Sequence, residues 1–139
     1  MKLEELVADL EHSRKVAPYV KDTVLVWARW QEPELGNPDN PNGWTEWKVY
    51  RCTDYTQYDT FPKERIPAPT LAELWAELPK TINCDGKGYS IAQWKRHDSK
   101  YGLGYEHYGL DVKKVVVNFD NYNAANAAAD LLAWVMERK

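Results

Sequence analysis

A chain of 139 residues with a formal net charge of −3 has the size of one ordinary domain, and its 18 basic residues are too scattered to form a phosphate-tracking stripe, which argues against a nucleic-acid partner. Apolar residues make up 44% of the chain but never run for the roughly 18 positions that a membrane span needs. Cys52 and Cys84 are the only cysteines, which excludes a disulfide framework and a four-thiolate metal site and leaves two reduced thiols as the expectation.

Leu3, Leu6, Val7 and Leu10 recur at helical spacing, with Glu4, Glu5, Asp9 and Glu11 around the rest of the wheel, so residues 2 to 15 read as an amphipathic helix ended by Pro18. Glu4 and Glu5 also stand where a signal peptide would be basic and then apolar, and a cytoplasmic location is expected. Thr23 to Trp30 is β-branched and aromatic with apolar residues on both faces, the pattern of a strand in the middle of a sheet.

Glu32 to Gly43 holds Pro33, Pro38, Pro41, Asn37, Asn40, Asn42 and Gly36, a composition that supports neither helix nor strand. Loops of a dozen residues are uncommon in compact domains and tend to be functional. Trp44 to Thr53 resumes an extended pattern, so the loop is expected to join two antiparallel strands. The polar, tyrosine-dotted stretch from Asp54 ends in Ile66-Pro67-Ala68-Pro69, extended because each proline disfavours α geometry in its predecessor.

Thr70 followed by Glu73 is a capping box, Leu71, Leu74, Trp75 and Leu78 form the apolar stripe of the helix behind it, and Pro79 stops it. Cys84 to Gly88 reads as a turn. Tyr89 to Arg96 and Tyr101 to Tyr108 alternate around His97-Asp98-Ser99-Lys100 as a β-hairpin, and Gly102 and Gly104 share a face that can be covered closely. Val112 to Phe119 is a further strand, with Val115, Val117 and Phe119 on one face and Val116 on the other. Asn123 caps a last helix in which Ala124, Ala128, Leu131 and Val135 line up, its alanines allowing close approach to a sheet. The expected fold is a single α+β domain over residues 1 to 139, with one mostly antiparallel sheet of about five strands and N-terminal, central and C-terminal helices packed on it.

The segments Pro67 to Leu74, Tyr89 to Tyr108 and Asn123 to Glu137 resemble small uncharacterised proteins of prophages and conjugative elements of the Bacteroidetes type. These show a Pro-Ala-x-Thr-Leu-Ala-Glu-Leu helix, Tyr-rich strands and an alanine-rich C-terminal helix. The resemblance covers roughly half the chain and implies no activity, cofactor or catalytic residue; residues 32 to 43 are outside the shared pattern.

No segment carries a strong catalytic or metal motif. His97-Asp98 belongs to a turn, His12 to a separate helix, and Gly86-Lys87-Gly88 lacks the spacing of a phosphate-binding loop. Neither a metal nor a cofactor is implied. The anomaly is aromatic: seven Trp and nine Tyr against two Phe, rings with a polar tip that suit half-buried positions and interfaces. Trp27, Trp30, Trp44, Trp47, Tyr50 and Tyr55 gather around the long loop and are the candidate binding residues, with Tyr58 beside them. Residues i and i+3 of a strand face opposite ways, so Trp27 and Trp30, or Trp44 and Trp47, cannot both enter one core.

The function expected from these features is macromolecular binding, to another protein or to a second copy, by an accessory protein of a mobile element and without catalysis. The alternatives are a small-ligand or carbohydrate module using a Trp/Tyr platform, and a small hydrolase using His107 with Glu106 or Asp111.

Overall fold

The computed structural model describes residues 2–51, 61–108 and 113–138. Cys52, Tyr55, Tyr58 and Asp111 lie outside the described residues. Within them the chain forms three α-helices and seven strands in two antiparallel sheets, an α+β architecture.

The N-terminal segment is not one helix. A 3-10 turn covers Leu3–Glu5, Val7 and Ala8 are extended and fully buried, and α1 spans Leu10–Val16. The break has a local and a distant cause. Asp9 caps α1 by accepting from the His12 backbone N–H at 2.8 Å. Val7 bridges to Thr70, and the Ala8 N–H donates to the Pro69 carbonyl at 3.0 Å, so the backbone here bonds across the fold instead of along a helix.

Strand β1 (Leu25–Arg29) lies between β2 (Lys48–Arg51) and β3 (Glu64–Ala68), with Trp27 opposite Val49 on one side and Ile66 on the other. The central position expected for β1 is therefore correct, and the 32 to 43 loop does join two antiparallel strands. Pro67 lacks a ladder donor, and β3 accordingly sits at an edge. Helix α2 (Leu71–Glu77) follows with both halves of its capping box made: the Thr70 hydroxyl accepts from the Glu73 N–H, and the Glu73 carboxylate accepts from the Thr70 N–H at 2.9 Å.

The second sheet has the order β4 (Thr81–Cys84), β5 (Lys87–Lys95), β6 (Tyr101–Tyr108) and β7 (Lys113–Asn121). Two sheets of three and four strands thus replace the expected single sheet of about five. Helix α2 intervenes between β3 and β4, and β4, four residues between Pro79 and the Asp85-Gly86 turn, carries no alternation long enough to announce itself. Asp85 and Gly86 both adopt positive φ, 53° and 78°, as a two-residue hairpin turn matching the strand twist requires.

The β6–β7 register slips between Tyr105 and Glu106, so that Tyr105 faces Val117 and Glu106 faces Val115. Val116 is the extra residue of a bulge. The expected alternation fails there: Val116, Val117 and Phe119 pack against the main core, while Val115 is 43% exposed. The bulge also blunts β7, which ends the sheet.

Helix α3 (Ala124–Glu137) lies against β6 and β7 on one side and against α1 and α2 on the other. Ala125 to Ala129 are all buried, because only small side chains let a helix be enclosed on several sides at once. Leu131, Leu132, Leu74, Leu103 and Tyr105, all fully buried, fill the same core. The small sheet has its own clusters, one on each face. Leu25, Trp27, Val49 and Ala68 meet Val7, Leu3 and Leu10 on one face, and Val26, Ala28 and Trp30 meet Tyr50 on the other. No helix among the described residues is long and apolar enough to cross a membrane.

Candidate functional site at the root of the long loop

The four tryptophans around the loop do not share one interior. Trp27 is 9% exposed, faces α1, and donates its indole N–H to the Ala8 carbonyl at 3.0 Å. Trp30 is 4% exposed on the opposite face, edge-on to Tyr50 with centroids 5.2 Å apart. The parity expected of positions i and i+3 holds for this pair. Trp44 and Trp47 stay half-buried.

What joins Trp44 and Trp47 is an arginine. The Arg29 guanidinium lies 4.1 Å from the Trp44 ring centroid and 4.7 Å from that of Trp47, and Arg14 of α1 approaches Trp47 from another side at 5.5 Å. Cations and rings alternate in the order Arg14, Trp47, Arg29, Trp44, each cation attracted by the negative faces of its neighbours. Arg29 also pairs with Glu64 across the β1–β3 ladder at 3.0 Å. Its Nε is buried without a hydrogen-bond partner among the described residues, the cost of fitting the guanidinium beside two rings. Weighing the basic residues only as too scattered for a phosphate-tracking stripe passed over Arg29 and Arg14. The available signal was an arginine set between two tryptophans, Trp27-Ala28-Arg29-Trp30, in a strand that is otherwise apolar.

The loop itself is held by its own polar side chains. Asn37 accepts from the N–H groups of Asp39 and Asn40, each at 2.9 Å, and the Asn40 amide accepts from the Trp44 N–H at 3.1 Å while donating to the Trp44 carbonyl. A 3-10 turn at Pro33–Leu35 is the one helical piece inside it. At its root the Glu32 N–H donates to the Gly43 carbonyl at 2.7 Å, and the Thr45 hydroxyl accepts from the Trp30 N–H at 2.9 Å. Glu34 and Asp39 are exposed on this frame, as is Glu46 just beyond it, and Glu32 is half-buried.

Comparison of the chain with protein-family models, with curated proteins and with solved structures finds no match.

The other sequence candidates are placed apart. His107 is half-buried, its Nδ1 3.0 Å from the Gly88 carbonyl, and Glu106 is its neighbour on a strand, so the two side chains point to opposite sheet faces. His97 and Asp98 form the hairpin loop, where Asp98 accepts from the Lys100 N–H at 3.2 Å, a turn role as expected. Cys84 is half-buried in a cleft of about 340 Å³ with Trp134 and Arg138. Gly102 is closely covered, as expected, by the Trp94 indole.

One polar cluster had no sequence expectation. His12 Nδ1 lies 2.7 Å from an Asp9 oxygen and its Nε2 3.4 Å from Asp130, which also pairs with Lys15 at 2.7 Å. Asn126 of α3 accepts from the Asp9 N–H and donates to the Asp9 carboxylate. Burial pushes the Asp9 carboxyl up, but the His12 N–H and imidazole and the Asn126 amide outweigh it and hold Asp9 below its ordinary value. The Asp130 carboxylate holds the Lys15 ammonium above its own. The cluster clasps α1 to α3. Among the described residues no three His, Cys, Asp or Glu side chains gather as a metal donor set.

Proposed function

We propose that this chain is a binding protein that engages another protein through Trp44, Trp47 and the 32 to 43 loop, and that it acts without catalysis. The observation that carries this reading is the half-buried Trp44–Arg29–Trp47 stack at the base of a loop ordered by its own hydrogen bonds. Rigid rings on a pre-ordered frame supply contact area with little conformational entropy to lose on association. Trp27 and Trp30 are buried, so their part is to hold the strand that presents the stack. On the resemblance of its C-terminal half, the protein is an accessory protein of a phage-related mobile element, working in the cytoplasm.

A photo-reactive benzoylphenylalanine replacing Asp39 tests this in the native host, with the same residue replacing Asp98 in the distant hairpin as control. A discrete adduct, with a partner or with a second copy, is expected from position 39 alone. No adduct, or the same adduct from position 98, refutes the assignment, as does unchanged capture by folded Trp44→Ala and Trp47→Ala variants.

The small-ligand alternative has a different location in its favour. A cleft of about 570 Å³ is lined by Leu6, Leu71, Tyr101, Tyr122 and the start of α3, and Leu6 and Tyr122 are 43% and 66% exposed. This volume suits a small organic ligand. Saturable changes in tyrosine resonances of this cleft on titration with a ligand panel support that reading; a flat response removes it.

A further inference from the structure

We propose that the protein partner presents a cationic, arginine-bearing segment, and that one partner guanidinium stacks on Trp44 as the next rung of the Arg14–Trp47–Arg29–Trp44 series. The inference rests on the protein-binding reading above and names the chemistry of the partner.

Two independent observations lead there. The first is the stack. It alternates cation and ring, and it ends on a ring, not on a cation. Arg29 is the one cation or aromatic partner of the Trp44 ring among the described residues, and the indole retains exposed surface. A ring face is attractive to a cation, and guanidinium suits it better than ammonium because it is planar and more weakly hydrated.

The second is charge. Between Arg29 and Lys48 the chain carries Glu32, Glu34, Asp39 and Glu46 and no Lys, Arg or His. None of these four has an ion-pair partner among the described residues, and Glu34, Asp39 and Glu46 are exposed. A loop whose charged side chains are all carboxylates, rooted at a ring that has one cation partner among the described residues, is complementary to a basic segment. The same four carboxylates repel a phosphate backbone. They also disfavour this face meeting its own copy, since a two-fold contact would oppose like charges.

The test uses the full-length protein and three probes, short peptides of arginine, lysine or glutamate of equal length, titrated at low and moderate salt with tryptophan emission and calorimetry as readouts. Saturable binding of the arginine peptide with a change in emission is expected, about threefold or more tighter than the lysine peptide, with no binding of the glutamate peptide. Trp44→Leu should bring the arginine and lysine peptides to within about 1.5-fold of each other, while Trp44→Phe keeps part of the preference. Glu34→Gln with Asp39→Gln should weaken both cationic peptides several-fold, and Asp98→Asn should weaken neither.

Absence of arginine-peptide binding overturns the proposal. So does equal binding of the two cationic peptides by the parent protein, because a purely electrostatic surface has no use for the Trp44 rung. Binding that survives the Glu34→Gln, Asp39→Gln double change also overturns it. If the photo-adduct at position 39 is found while these titrations fail, protein binding stands and the partner chemistry is wrong; failure of both removes the site.

Discussion

Gly43 is the residue on which the geometry of the long loop turns, and Gly86 provides an internal control for it. Both have positive φ, 67° and 78°. At Gly86 an added Cβ meets nothing within 4 Å, so Gly86→Ala carries only the left-handed backbone penalty, about 1 kcal/mol. At Gly43 the same atom would fall inside the Glu32 carbonyl group, with Pro33 behind it. Those are backbone atoms and cannot swing aside, so the two ends of the loop at 32 and 43 must separate and the Glu32 N–H to Gly43 carbonyl bond at 2.7 Å is lost. Adding an overpacking penalty of about 1–3 kcal/mol to the backbone term gives about 2–4 kcal/mol for Gly43→Ala. Denaturant midpoints of the two variants at a common slope measure the difference, and a red shift in tryptophan emission reports that Trp44 has moved. The reasoning fails if Gly43→Ala is no more destabilising than Gly86→Ala, or if the emission is unchanged while stability falls.

Arg29→Met should cost about 1–3 kcal/mol by removing two cation–ring contacts, with Arg29→Lys recovering less than half, read by denaturant unfolding; an effect below about 0.5 kcal/mol would reduce the stack to coincidence. Burial raises the Tyr105 hydroxyl from 10.0 to about 12, and it donates to the Pro79 carbonyl at 2.7 Å. The folded state then keeps a proton that the unfolded state releases, so the contribution is whole below pH about 10 and is lost as pH rises toward about 12; the stability gap between the parent and Tyr105→Phe should shrink over that interval. Asp9 is shifted the other way, so its contribution is whole above its ordinary value of 3.8 and is lost as pH falls through its lower folded value. Asp9→Asn should therefore differ most from the parent near neutrality and converge with it in acid, as followed by thermal melts.

Features decided within a few residues were readable from the sequence. The Thr70 capping box, the Asn123 cap, the hairpin around His97 to Lys100 and the extended Ile66 to Ala68 segment all depend on local backbone preference and local hydrogen bonds. Features decided by distant partners were not. Leu3, Leu6, Val7 and Leu10 satisfy helical spacing equally well as a 3-10 turn, an extended pair and a helix start, and the choice is made by Thr70, Pro69 and Asn123, whose amide donates to the Val7 carbonyl. Nothing in the run of valines marks which one bulges, because the bulge belongs to the pairing with β6. The number of sheets likewise depends on which strand edges meet.

The candidate site was half legible for a related reason. The parity of a strand required that Trp27 and Trp30 go to opposite faces, which they do, but it could not say what covers the rings that follow. Trp47 still packs against the Trp27 cluster, whereas Trp44 joins no apolar cluster among the described residues. From Trp47 outward to Trp44 the intervening layer is a guanidinium: Arg29 rises from β1 between the two rings, and Arg14 reaches from α1 to Trp47. This accounts for Trp rather than Phe at positions 44 and 47, since indole has the strongest attraction for a cation and tolerates partial exposure. Such a layer differs from an aliphatic one in a way that matters at its border. An aliphatic cluster ends wherever side chains run out, whereas an alternating series ends on a surface with a defined electrostatic preference, and here that surface is the face of Trp44 at the root of a loop whose charged residues are all carboxylates.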